Sequence, residues 1–201
     1  MIPMTIEQSV PFLIFSLVAA ITPGPSNVMI TATGSAAGIA RGLPCALGAA
    51  AGMAVLLFTA ALGLGQLIPG YPEILQVMNW CGAAFLLWLA WKIARAGSAG
   101  EPTATRPVGF FGAAFFQSVN PKGWLVAVGA ASTYLQSHTG SQVLQALVMA
   151  ALFFTVAFPS GLVWLVLGAS MQGLLRNERH ARVFNIAMAL ALAASVLMIL
   201  W

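Results

Sequence analysis

The chain has 201 residues, of which 60% are hydrophobic and only 6% are charged. A soluble domain carries about a quarter charged residues to face water, so this composition excludes an ordinary soluble domain and indicates an integral membrane protein. The net charge of +4 does not indicate nucleic-acid binding, because the basic residues lie between long apolar runs rather than in one solvated patch.

Six apolar stretches are long enough to cross a bilayer, which takes about 20 mostly apolar residues in a helix. They cover residues 10–32, 43–68, 74–94, 108–134, 143–170 and 183–201. No Lys or Arg precedes the first stretch, whereas a signal peptide begins with a basic region, so we expect this stretch to be a retained helix. The sequence therefore predicts an all-α membrane protein with six transmembrane helices in a single transmembrane domain, 1–201.

The basic residues predict the orientation of the chain. Seven of the eight Lys and Arg residues lie in or beside the gaps that follow the first, third and fifth stretches: Arg41, Lys92, Arg95, Arg106, Arg176, Arg179 and Arg182. These gaps share one side of the membrane, and short loops rich in Lys and Arg stay in the cytoplasm. We therefore expect a multi-pass protein with both termini outside the cytoplasm.

The longest gap, 95–107, is a cytoplasmic linker in this arrangement and divides the chain into two halves of three helices, 1–94 and 108–201. An odd number of helices makes the second half enter from the opposite side, so a three-helix repeat is inverted, as in many transporters. Pro23 in the first helix and Pro121 in the fourth each lie about 13 residues into their stretch, about 20 Å along a helix. This match predicts two inverted repeats whose leading helices, the first and the fourth, are both broken.

The two breaks also predict a binding site. Proline removes a backbone donor and clashes with the preceding turn, and in lipid the freed backbone groups must find partners or face a cavity. Two interrupted helices at similar depth are typical of a midplane site in a transporter, and packing kinks are the alternative. The predicted substrate site comprises Thr22, Pro23, Gly24, Pro25, Ser26, Asn27, Gln117, Asn120, Pro121 and Lys122. In the fifth stretch, Pro159 and Gly161 mark a third break, which is either a hinge or a kink.

Lys122 is the only charged side chain well inside a predicted span. A charge at the centre of a membrane helix costs about 2.5–3.5 kcal/mol on insertion scales, so a functional role is the first hypothesis. Snorkelling of the long side chain to an interface is the alternative. The chain contains no Asp, and none of its Glu residues falls inside a span, so Lys122 is also the candidate for proton coupling.

The remaining polar residues do not form a pattern that is typical of an enzyme or a metal site. His138 and His180 fall in predicted loops, and we find neither an HExxH nor a GxSxG pattern, so we expect no enzyme, metal or cofactor. Cys45 and Cys81 lie in the same half and lack metal-ligand spacing, so a small buried apolar role is expected for each. A membrane assembly or thiol-redox subunit without transport activity is the alternative function.

Small residues at four-residue spacing predict close helix packing, namely Gly34, Gly38 and Gly42, and then Gly48 and Gly52.

The motifs at the breaks resemble the LysE/RhtB family of bacterial amino-acid exporters, and the resemblance extends along the whole chain. It is carried by 22–27 (TPGPSN), the glycine-rich segment through Gly42, 82–92 (GAAFLLWLAWK) and Asn120-Pro121-Lys122. The third-helix segment and the length are most similar to the cysteine/O-acetylserine exporter branch. One feature departs from the basic-amino-acid exporters of the family, which carry an acidic residue in helix two, because this chain has none around Gly52 and Met53.

The resemblance implies efflux of amino acids across the bacterial inner membrane by proton antiport, with Pro23, Gly24, Pro25, Asn120, Pro121 and Lys122 at the family's signature positions. Lys122 would repel a cationic substrate in a site without a carboxylate, whereas a zwitterion can place its carboxylate against this ammonium or against a helix N-terminus. We therefore expect the substrate to be a small neutral amino acid of the cysteine, O-acetylserine, serine or threonine type. The expected partners are this solute and the bilayer, not nucleic acid, and a homodimer is the one assembly left open.

Overall fold

The computed structural model describes residues 4, 6–64, 108–135, 141–173 and 177–200, together with scattered positions between 76 and 95. The elements are α1 (Ile6–Ile21), α2 (Pro25–Thr59) with a π-helical continuation (Ala60–Leu64), α3 (Phe110–Ser118), α4 (Pro121–Tyr134), α5 (Gln142–Ser170) and α6 (Glu178–Leu200). The described part of the chain contains no strand, which confirms the prediction of an all-helical protein.

Several predictions fall on residues outside these ranges, namely Cys81, Lys92, Arg106, His138, Arg176, most of the third stretch and the linker after Arg95. One loop prediction is wrong, because His180 and its basic neighbours lie on α6, which begins at Glu178 rather than near 183. The helix starts early because the side chain of Asn177 accepts a 2.9 Å hydrogen bond from the amide of Arg179. A search for apolar residues misses such a polar first turn.

Among the described residues, two helical segments are long and apolar enough to cross a bilayer. They cover Pro25–Gly63, which includes a turn at Gly38, and Gln142–Ser170, and the most apolar part of each has a mean hydropathy of 2.1. The α1 helix is apolar but shorter. Large apolar side chains face outward, such as Phe111 and Phe115 of α3, which are 84% and 72% exposed. A surface of this kind suits lipid rather than water.

The α2 helix folds back on itself at Gly38. In one straight helix, Thr33 and Cys45 would lie about 18 Å apart, but the Thr33 hydroxyl lies 3.6 Å from the Cys45 sulfur. Gly38 has a φ of 79°, a left-handed conformation that glycine adopts readily, so the chain reverses there. The predicted gap 33–42 is therefore helical apart from this turn, and Arg41 lies on the helix after it. Gly38 serves the turn and not the predicted helix contact.

The other glycines of this series lie at helix contacts, as predicted. Gly34 and Gly42 face Leu165 of α5, and Gly48 and Gly52 face the backbone of α3. At Gly34 a Cβ atom would meet the carbonyl oxygen of Leu165. The absence of side chains therefore lets α2 lie directly against the backbones of two neighbours, which is how helices in lipid gain packing contacts.

The largest apolar cluster joins α1, α2, α4 and α5. Phe12, Leu57, Ala127 and Met149 are all fully buried in it. The ring of Phe12 packs edge-on against Tyr134 of α4, with 5.3 Å between the ring centroids. This packing holds α1 close to α4, and these two helices flank the two breaks.

The α5 helix is continuous from Gln142 to Ser170 and includes Pro159. The helix is not interrupted there in the manner of the other two breaks, and a hinge or a kink at Pro159 and Gly161 stays a prediction. Proline removes one backbone donor, but contacts with neighbouring helices can keep such a helix regular. The hydroxyl of Ser160 bonds the carbonyl of Val156 at 2.8 Å in the same turn.

Candidate functional site

The first predicted helix is broken where the sequence indicates. The α1 helix ends at Ile21 and α2 begins at Pro25. A residue that precedes proline is disfavoured in the helical conformation, and Thr22 and Gly24 both precede a proline. Gly24 is fully extended, with φ −173° and ψ 179°, and Pro25 follows at the first position of α2. Proline suits that position because it has no amide hydrogen to leave unbonded.

The second break has the same construction. The α3 helix ends at Ser118, Asn120 is extended with φ −84° and ψ 109°, and Pro121 takes the first position of α4. Pro25, and not Pro23, is therefore the structural counterpart of Pro121. The pairing predicted from the sequence is wrong by two residues, because counting from the start of an apolar run does not show which proline begins the next helix.

The carbonyl groups freed at the breaks are bonded by side chains from the following helices. The Nδ2 atom of Asn27 donates to the carbonyls of Ala20 and Thr22, at 3.0 and 2.8 Å. At the second break, the indole nitrogen of Trp124 donates to the carbonyl of Ser118 at 2.8 Å. Each interrupted helix end thus receives the donors that its own backbone lacks.

Lys122 reaches from the second break to the first. Its ammonium nitrogen lies 2.6 Å from the carbonyl oxygen of Thr22 and 3.4 Å from that of Pro23. These carbonyls follow the C-terminal end of α1, where the helix dipole favours a positive charge. The side chain is partly buried. The ammonium group therefore lies at the bend of the other half of the chain, as the predicted cluster requires.

Gly24 makes this contact sterically possible. A Cβ atom at Gly24 would lie 2.8 Å from Cδ and 3.1 Å from Nζ of Lys122. Its backbone angles are open to any residue, so the requirement for glycine comes from the lysine side chain and not from φ.

Three polar side chains form a ring beside this ammonium. The hydroxyl of Ser26 donates to Oε1 of Gln117 at 3.0 Å. Nδ2 of Asn120 donates both to that oxygen, at 3.1 Å, and to the Ser26 hydroxyl, at 3.0 Å. Gln117 and Asn120 are buried. The ring joins α2 to the second break and so connects the two halves of the chain.

A cavity of about 60 Å³ lies between the breaks. Six of the ten predicted site residues line it: Gly24, Ser26, Asn27, Gln117, Asn120 and Lys122. The other four do not: Thr22 and Pro23 contribute carbonyls to the ammonium contact, and Pro25 and Pro121 are buried at the helix starts. Among the residues that line the cavity, Lys122 carries the positive charge and there is no carboxylate.

The apolar side of the cavity is absent from the sequence prediction. It is formed by Ala19, Ala20, Ile30, Ala46, Ala49, Ala50, Met53, Gly123, Val126, Phe153, Ala157 and Gly161. Many of these residues are small, and small residues occur at every helix contact in this chain, so no local signal separates them. Gly161 is the one predicted hinge residue that lies at the cavity.

Cys45 lies outside the cavity lining and is fully buried. The Thr33 hydroxyl is hydrogen-bonded to its sulfur. This environment agrees with the predicted role as a small buried residue.

Comparison with known proteins decides the family. The family described as "LysE type translocator" matches residues 17–200. The chain belongs to the LysE type translocator family. The resemblance seen in the motifs is therefore confirmed. Membership makes the chain a transporter and a multi-pass protein of the inner membrane, as the sequence predicts.

The names of curated relatives of this translocator include a substrate. The chain is 32% identical over 183 residues to the cysteine/O-acetylserine efflux protein of Salmonella paratyphi A (strain ATCC 9150 / SARB42), and the match covers 90% of this chain and 91% of the relative. It is 30% identical, with the same coverage, to the cysteine/O-acetylserine efflux protein of Escherichia coli O1:K1 / APEC. No solved structure matches the translocator.

Proposed function

We propose that this translocator exports small neutral amino acids of the cysteine, O-acetylserine, serine or threonine type from the cytoplasm. The observation that carries the proposal is the cavity between two broken helices, whose lining holds one ammonium group and no carboxylate. The names of the relatives, which are efflux proteins for cysteine and O-acetylserine, support the same class of solute.

Donors for the carboxylate of such a solute converge on the cavity. A lysine ammonium has three N–H donors, and two of those of Lys122 meet the carbonyls of Thr22 and Pro23, which leaves one for a bound anion. The α2 and α4 helices both begin at the breaks, and neither has a side-chain cap. The N-terminal ends of these helices add partial positive charge, which favours the same carboxylate.

The size and charge of the cavity favour a short neutral side chain. A volume of about 60 Å³ holds roughly four water molecules at about 15 Å³ each, and its apolar side includes Ala49, Ala50 and Phe153. A lysine or arginine substrate would add a second cation close to Lys122 without a carboxylate to offset the repulsion. The charge of the cavity therefore selects against basic amino acids.

The proposal includes proton antiport, with Lys122 as the proton carrier. Lys122 is the one acid–base side chain among the residues that line the cavity, so an exchange of solute for protons at this site has to use it. Gain and loss of this proton change the charge at the cavity and therefore its affinity for the solute, which links the two movements.

The proposal also includes the predicted architecture. It has six transmembrane helices in one domain, 1–201, as two inverted repeats, 1–94 and 108–201, with a cytoplasmic linker at 95–107 and both termini outside. The like construction of the two breaks supports it: each has a helix end, an extended residue and a proline that starts the next helix. Two interrupted helices at corresponding places are typical of inverted-repeat transporters.

Everted membrane vesicles test the substrate class. In such vesicles the cytoplasmic face is outside, so export is measured as uptake of a labelled amino acid. We expect cysteine and serine to accumulate several-fold over vesicles without the protein when a proton gradient is applied, and lysine not to accumulate. Vesicles that contain the Lys122→Met variant serve as the control and should not accumulate any of the three. Strong accumulation of lysine without cysteine or serine would contradict the proposal.

A further inference from the structure

Asn120 carries a buried acceptor that the fold leaves unpaired. Its side chain is only 3% exposed, and its Oδ1 atom has no hydrogen-bond partner among the residues that the structure describes. Most buried polar atoms in native proteins do have a partner. An unpaired oxygen at a cavity between two broken helices is therefore placed to accept a hydrogen bond from a bound solute.

The side chain of Gln117 determines which atom of the Asn120 amide has no hydrogen-bond partner. Gln117 donates its Nε2 to the carbonyl oxygen of Ala113 at 3.4 Å, so its Oε1 points toward Ser26 and Asn120. Because Oε1 of Gln117 can only accept hydrogen bonds, Asn120 turns its donor atom, Nδ2, toward it. The oxygen of Asn120 is consequently the atom without a partner.

The position of Asn120 in the helix makes the unpaired oxygen more unusual. It is the N-cap residue of α4, a place where the oxygen of an asparagine side chain normally accepts a hydrogen bond from an amide of the first turn. Here no such bond is made. The residue best suited to cap α4 therefore keeps its oxygen available, although a local partner lies within the same turn.

Building on the amino-acid export proposed above, we infer that Oδ1 of Asn120 accepts a hydrogen bond from the α-ammonium group of the exported molecule, while Lys122 faces its carboxylate. An ammonium group needs an acceptor, and Lys122 supplies only donors. Gln117 Oε1 already accepts two hydrogen bonds, and the Ser26 hydroxyl accepts one. Asn120 is therefore a specificity-determining residue that recognises the amino group of an α-amino acid.

Cysteine and 3-mercaptopropionate test this inference, because they differ only in the α-amino group. Labelled uptake into everted vesicles gives an apparent affinity for each compound. In the wild-type protein we expect cysteine to be preferred by roughly tenfold to a hundredfold, the range for one hydrogen bond to a charged group. In Asn120→Leu and Asn120→Ala the preference should fall close to one. A purely structural defect would weaken uptake of both compounds and leave their ratio unchanged.

Ser132→Ala is the control, because it removes a hydroxyl from an exposed position of α4 outside the cavity lining. This variant should retain the preference for cysteine. Asn120 variants that keep the wild-type ratio, or a Ser132→Ala variant that loses the ratio equally, would overturn the inference. If neither Asn120 variant folds, the wild-type protein alone still tests the inference, because equal affinities for cysteine and 3-mercaptopropionate would refute it. A wild-type protein that takes up neither cysteine nor serine refutes the export itself, which is a different outcome.

Discussion

Lys122 replaces backbone donors that the broken helix has lost, and it does so with a group that can also carry a proton. The carbonyls of Thr22 and Pro23 have no amide partner of the usual helical kind, because the chain is extended at Gly24. The ammonium group meets both. Charge, hydrogen bonding and proton exchange therefore depend on one side chain, and these functions can be separated by a substitution that keeps the charge.

Lys122→Arg is that substitution. Arginine retains the cation but does not release its proton in proteins, so we expect cysteine still to cross the membrane down its gradient while accumulation driven by the proton gradient is lost. Uptake into everted vesicles over a pH series, with and without the gradient, measures this. Arg179→Lys, at an exposed position on α6, should behave as the wild type. A Lys122→Arg protein with the wild-type pH dependence would show that Lys122 is not the proton carrier.

At the scale of helices, the backbone contact between α2 and α3 sets the position of the second break. A Cβ atom at Gly48 would lie within 2.8 Å of backbone atoms of Phe110, and backbone cannot move aside as a side chain can. We expect Gly48→Ala to destabilise the protein by about 1–3 kcal/mol, the usual cost of overpacking. Thermal unfolding of the detergent-solubilised protein measures the loss.

Gly129 provides the control for that experiment. It lies within α4 and has no atom within 4 Å of the Cβ position, so Gly129→Ala should be neutral or stabilise by about 0.5–1 kcal/mol through its helix propensity. Equal unfolding temperatures for the Gly48→Ala and Gly129→Ala variants would contradict the account of the contact.

The sequence predicts some parts of this site well because their causes are local. Proline acts on its own turn and on the residue before it, so the breaks beside Pro25 and Pro121 are visible without a structure. The prediction fails where the cause is distant. Phe153 is part of the cavity only because α5 packs along α2, and nothing in its neighbourhood of apolar residues distinguishes it. The turn at Gly38 lies inside the predicted gap 33–42, but the residue that makes the turn is not distinguished among glycines with the spacing of a helix contact.

At the scale of the whole molecule, the distribution of Lys and Arg predicts a cytoplasmic linker and external termini. We expect alkaline phosphatase fused after Trp201 to be active, because it folds only outside the cytoplasm, and green fluorescent protein fused there to remain dark. The same reporters inserted in 96–107 should give the reverse pattern, which provides the internal control. Fluorescence from the C-terminal fusion would show that the orientation is inverted.

The contacts of Lys122 with Thr22, and of Ser26 with Gln117 and Asn120, join residues about a hundred positions apart. Any rocking of one half against the other at this depth has to part them, and each polar group stranded in a dry interior costs about 1–3 kcal/mol. These bonds therefore hold the two breaks together. A molecule that presents an anion to the lysine and a cation to the asparagine adds contacts at the same place, because it uses the lysine donor and the asparagine oxygen that those bonds leave free.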